Sequence, residues 1–308
     1  MVRDIVIVGA GVAGLSAGLI AAQSGFDTVV VDPLGGGGQL VNIDRVLNYP
    51  GLDEIHGFDL GPRIATQAMD QGVSFVLGTV DGLRAEADEL DVVLDSGDVI
   101  TGKSVILAMG SSIRRAGIEN EEAFEGRGIS YCGVCDGPFF AGREIAVVGG
   151  GDSAADEALY LATLAKRVHL VFPAGEMHAM AAAQKRLREL NNVVLMPNYR
   201  VAQAAGDGSG LKRLQLVDVR DSSTADLEVE GAFLYTGLAS STAFLKGLME
   251  LDEGGHVVTD ACLRTNVPGI FAAGDIRQFS VKLLAAAAGD GASAAVWAGR
   301  YLRGQRSS

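Results

Sequence analysis

Tyr131-Cys132-Gly133-Val134-Cys135-Asp136-Gly137 places two thiols three residues apart beside a carboxylate. Thiols at that spacing can close into a disulfide and reopen to a dithiol, provided local N–H groups or charge stabilise one thiolate. The same pair could be half of a zinc site. Zinc needs two more ligands, however, and Cys262 and the histidines at 56, 169, 178 and 256 show no ligand spacing. The redox reading is preferred, with no metal expected and Cys262 taken as a packed residue. Asp136 has two readings that local sequence does not separate: a proton donor or acceptor for a leaving thiolate, or a carboxylate capping a helix.

The elements that must position this pair come from a repeat. Residues 4–33 fall on residues 144–173 without a gap, an offset of 140 residues. Each copy reads as an apolar strand, a glycine turn, an alanine-rich helix and a second apolar strand. The turns are Gly9-x-Gly11-x-x-Gly14 and Gly149-x-Gly151-x-x-Ala154. In a dinucleotide-binding turn the first glycine permits the tight bend and the second lets the backbone approach a pyrophosphate. The third position must be small, so that the helix packs on the strand with its N–H groups aimed at the anion. The first copy's second strand ends at Asp32, whose carboxylate can take both hydroxyls of an adenosine ribose. The matching residue in the second copy is Phe172.

A chain of 308 residues, 48% hydrophobic, can build two cores. Its 42 glycines and 6% aromatics suit close-packed α/β layers. A formal charge of −13 excludes nucleic acid and anionic membrane surfaces as expected partners. Residues 5–22 are apolar, but Asp4 and the glycines at 9, 11, 14 and 18 mark a strand and nucleotide turn rather than a signal peptide. No other run approaches the ~18 apolar residues of a membrane helix. Three cysteines without a secretion signal point to a reducing cytoplasm.

Along the chain, residues 33–51 read as a loop whose glycines at 35–38 can wrap a ligand, followed by a helix near 58–71. Strands are expected at 73–80, 90–100 and 104–110. The second unit then interrupts this domain, with a helix at 180–190 and strands at 191–196, 211–220 and 226–235. The chain returns through "GIFAAGD" to a final helix from about Lys282. The expected fold class is α/β with two nested Rossmann-like domains, residues 1–114 with 241–308, and residues 115–240.

With these motifs in place, the chain resembles the low-molecular-weight thioredoxin reductases of bacteria, FAD-dependent disulfide reductases, over nearly its full length. The matching stretches are Gly9-x-Gly11-x-x-Gly14, "GGQL" (37–40), "NYPG" (48–51), "AMG" (108–110), "CGVCDG", "GGGDSA" and "FAAGD" (271–275). The resemblance implies a homodimer with FAD in the outer-chain domain and an inner domain that rotates about hinges near 115 and 240. Electrons would pass from nicotinamide to flavin to the cysteine pair. By position, Cys135 would face the flavin, Cys132 would attack the substrate disulfide, Asp136 would be the acid/base group, and Asp275 would hold the ribityl chain. Gly38, Gln39, Leu40, Asn48, Val80, Ala108, Gly110, Gly274, Lys282 and Leu283 would complete the FAD site.

The resemblance breaks at the second nucleotide. Members using NADPH carry His-Arg-Arg and a further Arg where this chain has Phe172, Pro173, Ala174 and, near the last, His178. Charge-assisted bonds are worth about 1.5–3 kcal/mol each, so two missing arginines remove on the order of 3–6 kcal/mol, roughly 10²–10⁴ in affinity. NAD(P)H binding is therefore expected to be weak or absent. Lys166, Arg167 or Lys185 are candidate substitutes for NADPH, and Glu176 for an NADH ribose. Relatives place Gln after the cation where this chain has Lys282-Leu283.

Three functions compete. The first is a reductase of thioredoxin or a similar small disulfide protein, fed by another donor such as ferredoxin. For that acidic donor, Arg114, Arg115, Lys166 and Arg167 would be the receiving surface. The second is an FAD-dependent dithiol oxidase passing electrons to oxygen, whose relatives generally show His where this chain has Asp136. The third is a non-catalytic flavin redox sensor, which the intact cysteine pair disfavours.

Overall fold

The structure, a computed structural model, describes residues 1–86, 89–113 and 115–304; Arg114 lies outside the described residues. In chain order the strands and helices are β1 (Arg3–Val8), α1 (Val12–Gln23), β2 (Thr28–Asp32), α2 (Gly57–Asp70), β3 (Ser74–Leu77), β4 (Val80–Glu86), β5 (Glu89–Leu94), β6 (Val99–Leu107) and β7 (Ser111–Ile113). They continue with α3 (Glu121–Phe124), β8 (Ile129–Ser130), α4 (Gly133–Asp136), β9 (Glu144–Val148), α5 (Asp152–Leu161), β10 (Arg167–Phe172) and α6 (Ala181–Glu189). The last are β11 (Val193–Pro197), β12 (Tyr199–Asp207), β13 (Gly210–Asp218), β14 (Thr224–Glu228), β15 (Gly231–Leu234), β16 (Leu238–Ser240), β17 (Ile270–Ala272) and α7 (Leu284–Leu302). The chain divides into two compact units, Met1–Ser112 with Ala239–Ser308, and Ile113–Leu238. Both crossings fall in β7 and β16, which form a two-stranded sheet.

The outer unit holds a seven-stranded sheet in the order β3-β2-β1-β6-β5-β4, with β17 also on β6. β1 and β2 are continuous apolar runs because both faces of this sheet are covered. One face packs on α1, α2 and α7 through Ile5, Ile7, Leu15, Phe271 and Ala294. The other packs through Val6, Val8, Val105, Leu245 and Val257. Sequence reading expected two strands at 90–100 and 104–110. The structure instead turns within 95–98 and runs one strand through Gly102. The first half of β6 pairs antiparallel with β5 and its end pairs parallel with β17.

The inner unit repeats the plan with a five-stranded parallel sheet, β11-β10-β9-β15-β8. Helices α5 and α6 cover one face. The antiparallel sheet β12-β13-β14 covers the other. β12 is a strand the sequence reading missed, its alanines and glutamine giving little alternation. The single strand expected at 226–235 is two strands in different sheets. The break is at Gly231, where a methyl group would come within 2.6 Å of the Phe140 ring. Among the described residues no helix is long and apolar enough to cross a membrane.

Candidate active site

β8 delivers the chain to the redox turn. Cys132 caps α4, its Sγ accepting the Cys135 N–H at 3.1 Å, and the two cysteines are joined by a disulfide with Cα atoms 5.3 Å apart. Both sulfurs are thereby committed to each other. Among the described residues no group of three His, Cys, Asp or Glu side chains could hold a metal ion. Cys262 is a half-buried thiol in the other unit, its N–H bonded to Asp260.

Asp136 is not a cap. Its side chain makes no capping bond to the 3₁₀ turn Gly137–Phe140 that it precedes. Pro138 stands at the second position of that turn and has no N–H to donate. The carboxylate is drawn back instead to Ser130, whose hydroxyl donates to Oδ2 at 2.6 Å and accepts the Cys132 N–H at 3.1 Å. Of the two sequence readings, the capping one is overturned and the carboxylate is held by the Ser130 hydroxyl instead.

Behind the disulfide, α4 lies on α5 through two glycines. A methyl group on Gly133 would collide with the Glu157 carboxylate, and one on Gly137 would come within 2.8 Å of Leu161. The Gly133 N–H donates to the Tyr235 hydroxyl at 2.9 Å. Ser130, Glu157 and Tyr235 were missed by sequence reasoning; the only local signal for them was the pair of glycines in "CGVCDG", which announces a close approach by something.

In the outer unit several of the residues expected to hold FAD meet around the start of α1. A methyl group on Gly14 would collide with the Gly9 carbonyl oxygen, and Gly9 itself has φ +101° and backs onto Ala108. Gly11 caps α1 with no side chain in the way, and a methyl there would meet nothing within 4 Å. No acidic residue stands in the first turn. A methyl group on Gly38 would come within 2.9 Å of the Gly11 Cα, Leu40 packs with Val12, and Gln39 reaches the Ser111 carbonyl at 2.9 Å. Asn48 lies in the adjoining loop beside Tyr49 of the same small core, and Gly110 has φ +64°. Val80 opens β4 just after Gly78, which bonds the Asp32 carbonyl. Gly274 backs onto Ala13, Asp275 accepts from Ser280, Lys282 has φ +54°, and Leu283 caps α7. Burial pushes the Asp275 carboxyl above its ordinary value, against Ser280 and Lys282. An uncapped helix start with an open glycine edge fits a pyrophosphate, so these residues fit the dinucleotide.

Asp32 does more than the sequence suggested. Its Oδ2 accepts the Ala10 N–H at 2.8 Å, and Oδ1 accepts those of Leu34 and Gly35 at 2.8 and 3.0 Å. A carboxylate has about four acceptor positions, leaving about one for a ribose hydroxyl rather than two. The same side chain therefore ties the glycine turn to the following loop.

The second glycine turn keeps its shape and loses its reader. Gly149 has φ +143° and backs onto the Tyr235 carbonyl, Ala154 is buried, and Gly151 is open. Phe172, however, is only 3% exposed and packs among Met177, Ala179 and Leu187, its Cβ 3.1 Å from a methyl placed on Gly150. The following loop bonds back onto the turn, with His178 N–H to the Gly150 carbonyl at 2.8 Å and Met180 N–H to Asp152 Oδ1 at 2.6 Å. Asp152 stands in the first turn of α5, and burial with that neighbouring charge raises the Asp156 carboxyl. Two of the candidate substitute cations, Lys166 and Arg167, stand far from the strand end. Lys166 pairs with Glu144 at 3.1 Å, it and Arg167 stand at the start of β10, a strand's length (~16 Å) from Phe172, and Lys185 is paired along α6 with Glu189. Glu176 is exposed.

Residues 3–291 match the pyridine nucleotide-disulphide oxidoreductase family. Thioredoxin reductase of Listeria innocua is 38% identical over 98% of this chain and 94% of its own length. That of Helicobacter pylori is 35% identical over 97% and 98%. Among solved structures, thioredoxin reductase of Lactococcus lactis superposes with a TM-score of 0.96 at 34% identity, covering 98% of this chain and 99% of its own. That of Thermoplasma acidophilum superposes at 0.94 with 31% identity, covering 99% of both.

Proposed function

The chain belongs to the pyridine nucleotide-disulphide oxidoreductase family, as a thioredoxin reductase-like flavoprotein, and on that premise we propose that it exchanges electrons between FAD and the disulfide of thioredoxin or a similar small protein without relying on NADPH. The observation that carries the reading is the Cys132–Cys135 disulfide with Asp136 held beside it by Ser130. Gly9, Gly11, Gly14, Asp32 and Asp275 in the outer unit would hold FAD, with Gly38, Gln39, Leu40, Asn48, Val80, Ala108, Gly110, Gly274, Lys282 and Leu283 around it, and the cofactor would supply a two-electron carrier.

With the pair reduced, the Cys132 thiolate is stabilised by the Cys135 N–H that already reaches its sulfur. It attacks the substrate disulfide and one substrate thiolate departs, taking a proton from Asp136. The Cys135 thiol gives its proton to the Asp136 carboxylate left by the first step and attacks Cys132 Sγ in the mixed disulfide. The second substrate thiolate leaves and the pair is again oxidised.

The buried Phe172 supports a donor other than NADPH, since that side chain offers neither a bond to a ribose nor a charge to a 2′-phosphate. Asp152 adds negative charge in the first turn of the helix that would face a pyrophosphate. The basic cluster considered for ferredoxin is offset by carboxylates, Arg115 by Glu122 and Glu125 and Lys166 by Glu144. A thioredoxin-type dithiol reaches the flavin by the same exchange run in reverse, through Cys132 and Cys135, and is therefore the favoured donor in the test. A cytoplasmic homodimer belongs to the same reading. The test is to mix FAD-loaded protein anaerobically with NADPH, NADH, reduced ferredoxin or reduced thioredoxin while following flavin absorbance. Fast bleaching by reduced thioredoxin and slow or no bleaching by NADPH are expected. Fast bleaching by NADPH alone would return the chain to NADPH-dependent reduction.

A further inference from the structure

Under the redox turn lies a carboxylate that the exchange steps do not use. Glu157, on α5, is only 7% exposed, and its carboxylate occupies the space a side chain at position 133 would need. It shares a hydrogen bond with the Tyr235 hydroxyl, which in turn accepts the Gly133 N–H at 2.9 Å. Tyr235 follows β15 and Gly133 opens α4, so three elements of the inner unit meet at this point. The hydroxyl has one proton and two acceptor positions, and the chain Gly133 N–H to Tyr235 O–H to Glu157 uses the donor in one direction only. That direction requires Glu157 to be the acceptor. Burial and the Glu157 charge push the Tyr235 hydroxyl well above its ordinary value, so it stays a donor at every working pH. Asp136 is the other charge that Tyr235 feels.

We propose that Glu157, acting through Tyr235, is a positioning residue for the cysteine pair: it fixes the Gly133 N–H and places a buried negative charge beneath the turn that disfavours thiolate in the reduced pair and so favours the disulfide. The inference rests on the reading of Cys132 and Cys135 as the redox centre. The reaction concerned is exchange with a small dithiol. One dithiothreitol thiolate attacks the Cys132–Cys135 bond, the mixed disulfide is resolved by the second dithiothreitol sulfur, and the products are cyclic oxidised dithiothreitol and the two protein thiols. Two electrons pass from dithiothreitol to the protein, and its two thiol protons are shared among the protein thiols and solvent. A buried anion nearby raises the free energy of whatever fraction of the product is thiolate.

The experiment equilibrates whole FAD-loaded protein at neutral pH with graded ratios of reduced to oxidised dithiothreitol. Thiols are then trapped by alkylation and the modified fraction is read by intact mass. Glu157→Gln keeps the shape and removes the charge. It should reach half-reduction at a ratio about tenfold lower than wild type, about 1.4 kcal/mol, with flavin absorbance unchanged. Glu157→Leu removes the same charge with a side chain suited to the Leu161 face and carries the same expectation should the Gln variant not accumulate. Equal half-reduction ratios in wild type and either folded variant would overturn the inference alone. A wild-type pair that never cycles in the titration would overturn the redox reading and the inference together.

Discussion

The Ser130 hydroxyl donates to Asp136 Oδ2 across 2.6 Å while accepting the Cys132 N–H across 3.1 Å, so one side chain spans from the backbone of Cys132 to the Asp136 carboxylate. If that bond orients the carboxylate, Ser130→Ala should slow single-turnover reduction of a protein disulfide about tenfold. Asp136→Asn should slow it by about 10²-fold or more. Both variants should retain FAD. A Ser130→Ala enzyme with the wild-type rate would show that Asp136 needs no such anchor.

Cys132→Ser and Cys135→Ser should each abolish disulfide turnover while flavin stays bound, because exchange needs an attacking and a resolving thiol. Cys262→Ser should be close to neutral, since Cys262 lies in the other unit. Substantial turnover by either of the first two variants would remove the pair from the mechanism.

Asp32 makes a separable prediction about cofactor and fold. Asp32→Ala leaves three backbone N–H groups of the glycine turn and loop without their acceptor. Each such loss costs about 1–3 kcal/mol where water cannot replace it. The variant should therefore lose thermal stability in the absence of FAD as well as retention of FAD. Dialysis against potassium bromide followed by calorimetry on the apoprotein distinguishes the two. Unchanged apoprotein melting would mean that the three bonds contribute little.

Restoring charge at the second nucleotide turn tests why NADPH is disfavoured. Phe172→His with Pro173→Arg and Ala174→Arg should raise the rate of flavin reduction by NADPH by about 10²-fold or more, and adding Asp152→Asn should raise it further. Because Phe172 is part of the core, some loss of melting temperature should accompany the change. Stopped-flow absorbance gives the rate; a wild-type flavin already bleached rapidly by micromolar NADPH would leave nothing to restore.

His169 should make stability fall on the acid side of neutrality. Burial pushes its imidazole below the ordinary value, more than Glu144, 3.5 Å away, pulls it back. The unfolded chain then takes up its proton first as pH falls. Stability is full above the ordinary histidine value near ~6.5, declines through the window down to the lower folded value, and then levels off. Melting temperatures measured from pH 8 to 5 should drop across that window, and His169→Leu should flatten the drop.

The reading of the chain as two copies of a nucleotide unit with a cysteine pair between them needed no coordinates. Glycines spaced for a tight turn, strands that are apolar throughout and a carboxylate at a strand end are local consequences of packing a helix on a sheet. Each leaves its mark within about 30 residues of chain. Gly9, Gly14 and Gly149 stand where that pattern puts them, each against backbone that admits nothing larger, and Ala154 is buried. Strand limits were less legible. β6 changes partners halfway along, and the strands on either side of Gly231 belong to different sheets, which a hydrophobic pattern does not record.

What only the tertiary structure decided is who the polar groups bind. The sequence allowed Asp136 to cap a turn or serve the thiols. Ser130, brought beside it where the parallel strand β8 ends, drew the carboxylate away from a turn whose proline offers no N–H. It allowed Lys166 and Arg167 to stand in for missing arginines, until the direction of β10 put them at the far end of the strand. Phe172 read as an absent charge and is a core residue. Glu157 and Tyr235, 78 residues apart (235 − 157) and unremarkable in sequence, meet under Gly133. Periodicity and turn chemistry are set by neighbours along the chain. A buried hydrogen bond or ion pair is set by whichever partner folding brings within about 3 Å, and that choice is made across sequence distances that no local pattern spans.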